Sequence, residues 1–283
     1  MSLIRASSAG ARTVLRPAGR LDLHVHSDGS DGKWPAAEVL RRAAAGRLDV
    51  LALTDHDLPP RLAAGLHEVE GREIRVLHGT EVSGTHEGRE FHLLVYFPGD
   101  MPASYMAFLR ERTAARALRY DDARVALGVT AEVAPAPEAA HAGEVALTRH
   151  HLVRALRDAG LVPDSRTGFA RVGAVLAPVA LAFTEAIALA RAHGGLPSWA
   201  HPDLADAQAY TKPFVAAGLR GLEGARPRQD RATRNGLKKL AERHGLLVTG
   251  GSDWHGWHEG ELGMYAVDGE RADRFLHALE RAA

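Results

Sequence analysis

The stretch Leu21–Gly32, LDLHVHSDGSDG, crowds imidazoles and carboxylates into a short run. It opens with apolar residues alternating with Asp22, His24 and His26, the period-two pattern of a strand. Side chains two apart on a strand share a face, so the two imidazoles can converge on one ion. Ser27–Gly32 then breaks the pattern, with two glycines permitting tight backbone and with Asp28 and Asp31 adding hard carboxylate oxygens. Imidazole beside carboxylate suits zinc, manganese or iron. A lone HxH pair is commonplace on strands. Its weight here comes from recurrence of the same arrangement further along.

The elements that must position these groups alternate between strand and helix. Strands are expected at Asp49–His56 (DVLALTDH), Ile74–Val82 (IRVLHGTEV), Glu90–Phe97 (EFHLLVYF), Leu196–His201 (LPSWAH), Leu219–Glu223 and Leu246–Asp253 (LLVTGGSD). The short SGTHEGR loop predicts a hairpin between the strands at 74–82 and 90–97. Helices are expected at Pro35–Gly46, Thr184–His193, Lys212–Ala217, Asp230–His244 and Arg271–Ala283, the first with proline in its opening turn and glycine at its end. In strand after strand the polar residues fall at the C-terminal end: His24 and His26, Asp55 and His56, Glu81, His201, Asp253. Parallel strands of an α/β barrel deliver those ends to one rim. An open doubly wound sheet would gather them only near a switch point, so about seven contributing strands favour the barrel.

Residues 100–182 differ in character. They are rich in Ala, Arg and Leu, with helical spacing over Met106–Leu127 and Thr148–Ala159 and a weakly periodic piece, Val133–Glu144, between. The expected organisation is a loose lead-in over 1–20, a barrel domain from 21–99 and 183–283, and a small helical insertion over 100–182.

Totals bound the chemistry. The chain of 283 residues is long enough for a substantial core, and its 35 basic and 35 acidic side chains balance. That balance gives no reason to expect a long polyanion held by charge alone. With no cysteine, disulfides and thiolate zinc sites are excluded, in keeping with a reducing, cytoplasmic setting. No apolar run approaches eighteen residues and Met1–Arg20 lacks the apolar core of a signal peptide, so no membrane association is expected. The skewed figure is 16 histidines.

The candidate ligands are His24, His26, Asp31, His56, Glu81, His92, His201, Asp253 and His255. They exceed what one tetrahedral site uses, and suffice for two or three ions if a carboxylate bridges. Clustered divalent ions are the usual apparatus for displacement at phosphorus. At these positions the chain resembles the PHP (polymerase and histidinol phosphatase) superfamily of metal-dependent phosphoesterases. The matching motifs are DLHVHSDGSDG, LALTDHD, GTEVSG, FHLLVY, AHPD and GSDWHG, in that order from residue 21 to about 256. The resemblance implies an α/β fold, a distorted (β/α)7 barrel, with a trinuclear site. It places His24, His26, Glu81 and Asp253 around a first metal and Asp31, His56 and His255 around a second. His92 and His201, with Glu81 bridging, would hold a third. It also selects Asp31 over Asp28, because the family ligand directly precedes this glycine.

The insertion, with its stretch TRHHLVRAL, resembles the subgroup acting on nucleotides and RNA ends. The activity implied is hydrolysis of phosphate esters of small nucleotides, 3',5'-bisphosphates included, or of 5' ends of short RNA, by attack of a metal-bridging hydroxide. Arg149 and His151 are candidate phosphate contacts, with Arg226 and Arg228 weaker ones in a segment, GARPRQ, that departs from the subgroup pattern. No obligate protein partner is indicated. Alternatives are a phosphatase of another small monoester such as histidinol phosphate, and a non-catalytic metal-binding docking module.

Other residues have plainer expectations. Asp55 points to the strand face opposite its neighbour ligand, as a structural or supporting carboxylate. Thr54 and Ser252 satisfy turn backbone, while Trp199 and Trp254 pack. His67, His78, His86, His141, His193, His244, His258 and His277 read as surface or helix-capping residues. Gly250–Gly251 lets backbone approach the site closely.

Overall fold

Strand β2 (Leu21–Val25) lies parallel to β3 (Val50–Leu53), and β3 in turn lies parallel to β5 (Arg72–His86). These contacts come from a computed structural model that describes residues 5–6, 19–227, 229–257 and 262–282. Most of the expected lead-in, Arg228 and His258 lie outside the described residues.

From β5 the sheet continues through β6 (Arg89–Phe97), β7 (Leu196–Trp199), β8 (Gly221–Glu223) and β9 (Leu247–Thr249). The segment after β9 returns to β2: Val25 bridges Trp254 in parallel, and the Asp253 N–H donates to the His24 carbonyl at 2.8 Å. The ring of strands is thereby brought round on itself as a distorted barrel. Its distortion has a local cause. Glu87 and Gly88, at φ of 48° and 75°, form the tight turn that a hairpin of right-twisted strands favours. With no crossover helix between them, β6 runs antiparallel to β5, and it pairs antiparallel with β7 as well. Ser83 consequently pairs with His92, so β6 offers its ligand from its N-terminal half.

Helices α1 (Ala36–Ala45), α6 (Phe183–Ala192), α7 (Leu204–Ala217), α8 (Arg231–Arg243) and α9 (Gly269–Glu280) cover the strands. Helix α7 starts well before the expected Lys212, because Pro213 obscures the periodicity without ending the helix. Two short strands were not expected. β1 (Arg5–Ala6) and β4 (Gly65–Val69) form an antiparallel flap on the first half of β5. β4, GLHEV, is too short and too polar to signal itself by period.

Beneath α6 and α7, the rings of Phe91, Phe183, Trp199 and Phe214 interlock at centroid distances of 4.7–6.1 Å. Trp254 is buried in a second apolar cluster with Val25 and Val39. Helices α2 (Ala103–Ala126), α3 (Glu138–His141), α4 (Arg149–Asp158) and α5 (Ser165–Gly173) carry an apolar cluster of their own, including Ala117, Tyr120, Leu152, Leu156 and Val172. Among the described residues no helix is long and apolar enough to cross a membrane.

Candidate metal centre

All nine candidate ligands lie at one rim of the barrel. Glu81, buried near the middle of β5, is the hub. Its Oε1 stands 2.9 Å from His201 Nε2 and 3.0 Å from His92 Nδ1; its Oε2 stands 3.1 Å from His56 Nδ1 and 3.3 Å from both His24 Nε2 and His26 Nε2. Asp31 Oδ1 is 3.1 Å from His255 Nε2, and Asp31 Oδ2 is 3.7 Å from His56 Nε2. Asp253 Oδ1 is 3.4 Å from the Nε2 atoms of both His24 and His26. Asp28 is exposed and faces Arg61 instead, 4.0 Å away.

Four groups have donor atoms close enough to share one ion: His26, Asp31, His56 and His255; His24, His26 and Glu81; His24, His201 and Asp253; His56, Glu81 and His92. They overlap rather than partition as the family resemblance implies. His26 also joins the Asp31 group, and His201 stands with His24 and Asp253 as well as 3.2 Å from His92.

The local backbone is built for this convergence. His201 and Asp253 adopt φ of 34° and 50°, a left-handed conformation that costs a non-glycine residue about 1–3 kcal/mol and gathers at functional sites. A Cβ on Gly251 would fall 2.5 Å from His24 Cβ, so only glycine lets the segment after β9 lie against the ligand strand. Asp55 folds the ligand loop, accepting from the Ser27 N–H at 2.8 Å and from the Ser27 and Ser30 hydroxyls, both at 2.6 Å.

Charge is concentrated here. Burial works against a charged His24, but the Glu81, Asp253 and Glu223 carboxylates outweigh it and hold that ring well above the ordinary histidine value. Against the same burial, Asp253 and Glu81 push His26 up to about 10, and Glu81 and Glu90 push His92 up to about 9. Asp31 and Glu81 resist burial and stay well below the usual carboxylate range because of the histidines around them. His56 goes the other way, lowered by burial and by repulsion from His26 and His92. The centre of the cluster is a place that favours positive charge.

Six buried atoms decide what kind. His24 Nε2, His26 Nε2, His56 Nδ1, His255 Nε2, Asp31 Oδ1 and Glu81 Oε2 have no hydrogen-bond partner. An unsatisfied buried polar group costs about 1–3 kcal/mol, and six together approach the whole stability of an ordinary domain, about 5–15 kcal/mol. Cations bound among these residues would give such atoms partners. The donor set, imidazole with carboxylate, fits divalent metals.

Three supporting residues were missed from sequence. Glu223, at the end of β8, faces His24 Nδ1 at 3.0 Å and accepts from the His201 N–H at 2.6 Å. It obeys the same rule of polar strand ends that found the ligands. Thr148, the N-cap of α4, donates from its hydroxyl to Asp31 Oδ2 at 3.0 Å. Glu90 lies 3.4 Å from His92 Nε2 and is itself held by Arg119 on α2. Such partners fix the orientation of metal-binding side chains.

Of the candidate phosphate contacts, His151 accepts from the Thr148 N–H at its Nδ1, 3.1 Å away, closing a capping box. Arg149 is exposed, with its guanidinium 5.8 Å from the Phe169 ring centroid. Neither lines the cavity that opens on the cluster; His150 and Arg226 do. Among the plainer histidines, His193 caps α6 through the Leu189 carbonyl and His141 is exposed, as expected. His67 and His78 are buried, bonded to the carbonyls of Ala63 and Leu62.

Residues 22–158 match the PHP domain model. A 3',5'-nucleoside bisphosphate phosphatase from Chromobacterium violaceum is 31% identical, over 85% of this chain and 88% of its own length. The chain belongs to the PHP domain family. Other relatives are a phosphoribosyl 1,2-cyclic phosphate 1,2-diphosphodiesterase from Eggerthella lenta (32% identical, over 83% of this chain and 94% of that one) and a 5'-3' exoribonuclease from Haemophilus influenzae (31%, over 88% and 96%). A metal-dependent phosphoesterase from Bifidobacterium adolescentis superposes with a TM-score of 0.74 at 26% identity, over 93% of this chain and 98% of that one. This PHP protein is a metal-dependent phosphoesterase, and divalent cations are its cofactors.

Proposed function

We propose that this PHP protein hydrolyses phosphate esters of small nucleotides, 3',5'-bisphosphates among them, or the 5' ends of short RNA. The observation that carries the reading is the convergence of six unpartnered buried ligand atoms on one rim, joined to relatives that are a bisphosphate phosphatase and an exoribonuclease. His24, His26, Asp31, His56, Glu81, His92, His201, Asp253 and His255 would hold two or three ions of manganese, zinc or iron. Divalent cations there lower the pKa of coordinated water and take up charge on phosphoryl oxygens.

The rest of the chain's contribution is orientation and access. Glu223 keeps the His24 ring turned so that Nε2 faces the cluster, and Thr148 does the same for one oxygen of Asp31. The division into a barrel (21–99 and 183–283) and a helical insertion (100–182) is part of the proposal, with the insertion roofing one side of the site. Arg149, exposed at the start of α4, outside the cavity lining and without an ion pair among the described residues, would meet a phosphate only from the outer surface; His151 acts by fixing Thr148.

The test is turnover by manganese-loaded protein, with a chelator control, on four substrates. These are adenosine 3',5'-bisphosphate, a 5'-phosphorylated oligoribonucleotide, a phosphoribosyl cyclic phosphate and histidinol phosphate. The first two are expected to react at least tenfold faster in kcat/KM than histidinol phosphate. Equal or higher activity on histidinol phosphate overturns the nucleotide assignment. A preference for the cyclic phosphate moves the protein to the chemistry of its Eggerthella relative.

A further inference from the structure

A cavity of about 940 Å³ opens onto the metal cluster at Asp253 and His255. That lies at the upper end of the range for small-molecule sites, roughly 300–1,000 Å³, and leaves ample room beyond a single phosphomonoester. Besides the cluster residues, the lining is cationic and aromatic, with Arg154, Arg157, Arg226, Phe169 and Trp257.

These arginines are not equivalent. Arg157 is paired with the neighbouring Asp158 at 3.3 Å. Arg154 makes no ion pair among the described residues and lies over the indole of Trp257, 3.7 Å from the ring centroid. Arg226 presents a buried Nε with no hydrogen-bond partner. The unpartnered Nε–H of Arg226 and the guanidinium of Arg154, both beside the cavity, suit phosphate oxygens in geometry and charge. Trp257 is 44% exposed, unusually so for the largest apolar side chain, and its Nε1–H is tied to the Asp31 carbonyl at 2.9 Å. An indole fixed in orientation, partly exposed in the cavity lining and carrying Arg154 over its ring, offers its remaining face as a stacking platform, and every base has a π-face to offer it. Asp31 thus links platform and cluster: its carboxylate faces the ligand set and its carbonyl holds the ring.

We infer that this part of the lining is a second recognition site, in which Arg154 and Arg226 bind a second phosphate of the substrate while Trp257 carries its base. The inference rests on the nucleotide reading above and sharpens it. The ligand is a nucleotide phosphorylated on both sides of its ribose, with one phosphate at the cluster and the other on the arginines. A free bisphosphate and the phosphorylated end of an RNA share this chemistry.

Two measurements test the site. The first is the ratio of kcat/KM for adenosine 3',5'-bisphosphate to that for adenosine 3'-monophosphate, taken on the full-length, metal-loaded protein. Arg226→Ala is expected to lower this ratio at least tenfold, mainly through KM of the bisphosphate, with Arg226→Lys recovering part of it. Arg154→Ala is the second variant should Arg226→Ala fail to fold. The same ratio for a 5'-phosphorylated against a 5'-hydroxyl oligoribonucleotide tells whether the site serves RNA ends, free bisphosphates or both. The second measurement is quenching of tryptophan fluorescence in metal-free protein by adenosine 3',5'-bisphosphate, expected in the wild type and lost in Trp257→Phe. A ratio within twofold of wild type for both arginine variants overturns the arginine assignment, and quenching retained in Trp257→Phe overturns the platform. Either result leaves the nucleotide reading standing if the wild type still prefers nucleotides to histidinol phosphate. Loss of that preference in the wild type is the separate failure of the reading itself.

Discussion

Glu223 accepts from the backbone N–H of His201 and faces the Nδ1 of His24, so one carboxylate orients two ligands. A glutamine in its place presents an amide N–H₂ to one of two positions that need an acceptor. Glu223→Gln is therefore expected to weaken metal binding by roughly 10–100-fold, the usual cost of losing an orienting partner, with activity recovering in excess manganese. Metal titration of activity reads this directly, and an unshifted midpoint rules the role out. Asp253 acts at the cluster itself, 3.4 Å from two histidine nitrogens. Asp253→Ala should abolish turnover while circular dichroism shows an unchanged fold, because it subtracts one ligand from a rim that β2, β3, β5 and β7 continue to build. Persistent turnover would show that this strand end is not part of the site.

Helix α2 is tied to the strands by contacts that belong to elements, not to single ligands. Buried Asp57 pairs with Arg112 and Arg116 of α2, at 2.9 and 2.6 Å, and Arg116 reaches Ser83 on β5. Removing one partner strands the other charge in the interior, so Asp57→Asn is expected to destabilise the fold by about 3–5 kcal/mol in urea unfolding. A loss under 1 kcal/mol would mean that α2 is held mainly by its apolar face. A second tie depends on pH. His78 accepts the Met101 N–H at Nδ1 and bonds the Leu62 carbonyl through Nε2, each at 2.9 Å, an arrangement only the neutral ring completes. Burial holds its pKa below the ordinary 6.5, with the Leu62 carbonyl and exposed Asp100 pulling weakly the other way. The unfolded chain then takes up this proton first. The contribution is complete above about pH 6.5 and is lost as the pH falls from there through the lower folded value. Between pH 7.5 and 5.5 the wild type should lose more thermal stability than His78→Gln, whose amide does not titrate. Parallel losses in the two proteins would discount the histidine.

At the scale of the whole molecule, what was legible in the sequence was periodicity and what it delivers to a rim. The ligands sit in or beside apolar runs whose ends are polar, so His24, Glu81, His201 and Asp253 announce themselves by position. His78 did not, because its partners Leu62 and Met101 lie in aperiodic loops that only the folded chain brings to it. Trp257 escaped notice too, since exposure of an indole at a cavity mouth is decided by neighbours from α4 and not by its own segment. Barrel closure has the same long-range origin and carries a consequence for stability. The segment after β9 meets β2 through two isolated bridges, Val25 with Trp254 and Leu21 with Val267, and through backbone hydrogen bonds at Leu21, His24 and His26, not through a continuous ladder. Cations held jointly by Asp253, His24, Glu81 and Asp31 would therefore clip the seam where no continuous strand ladder joins the two sides. Binding to the native state alone stabilises it by about 2.7 kcal/mol for one site at a hundred times Kd. For a chain of this size each kcal/mol moves the melting midpoint by roughly 2–4 °C, so chelation should lower Tm by about 5–10 °C, reversibly on adding manganese or zinc. Asp253→Ala should show a much smaller chelator effect, because the ligand that spans the seam is gone. Equal chelator shifts in wild type and variant would place the bound cations away from the closure, and a Tm indifferent to both chelator and metal would mean that this rim binds no cation tightly.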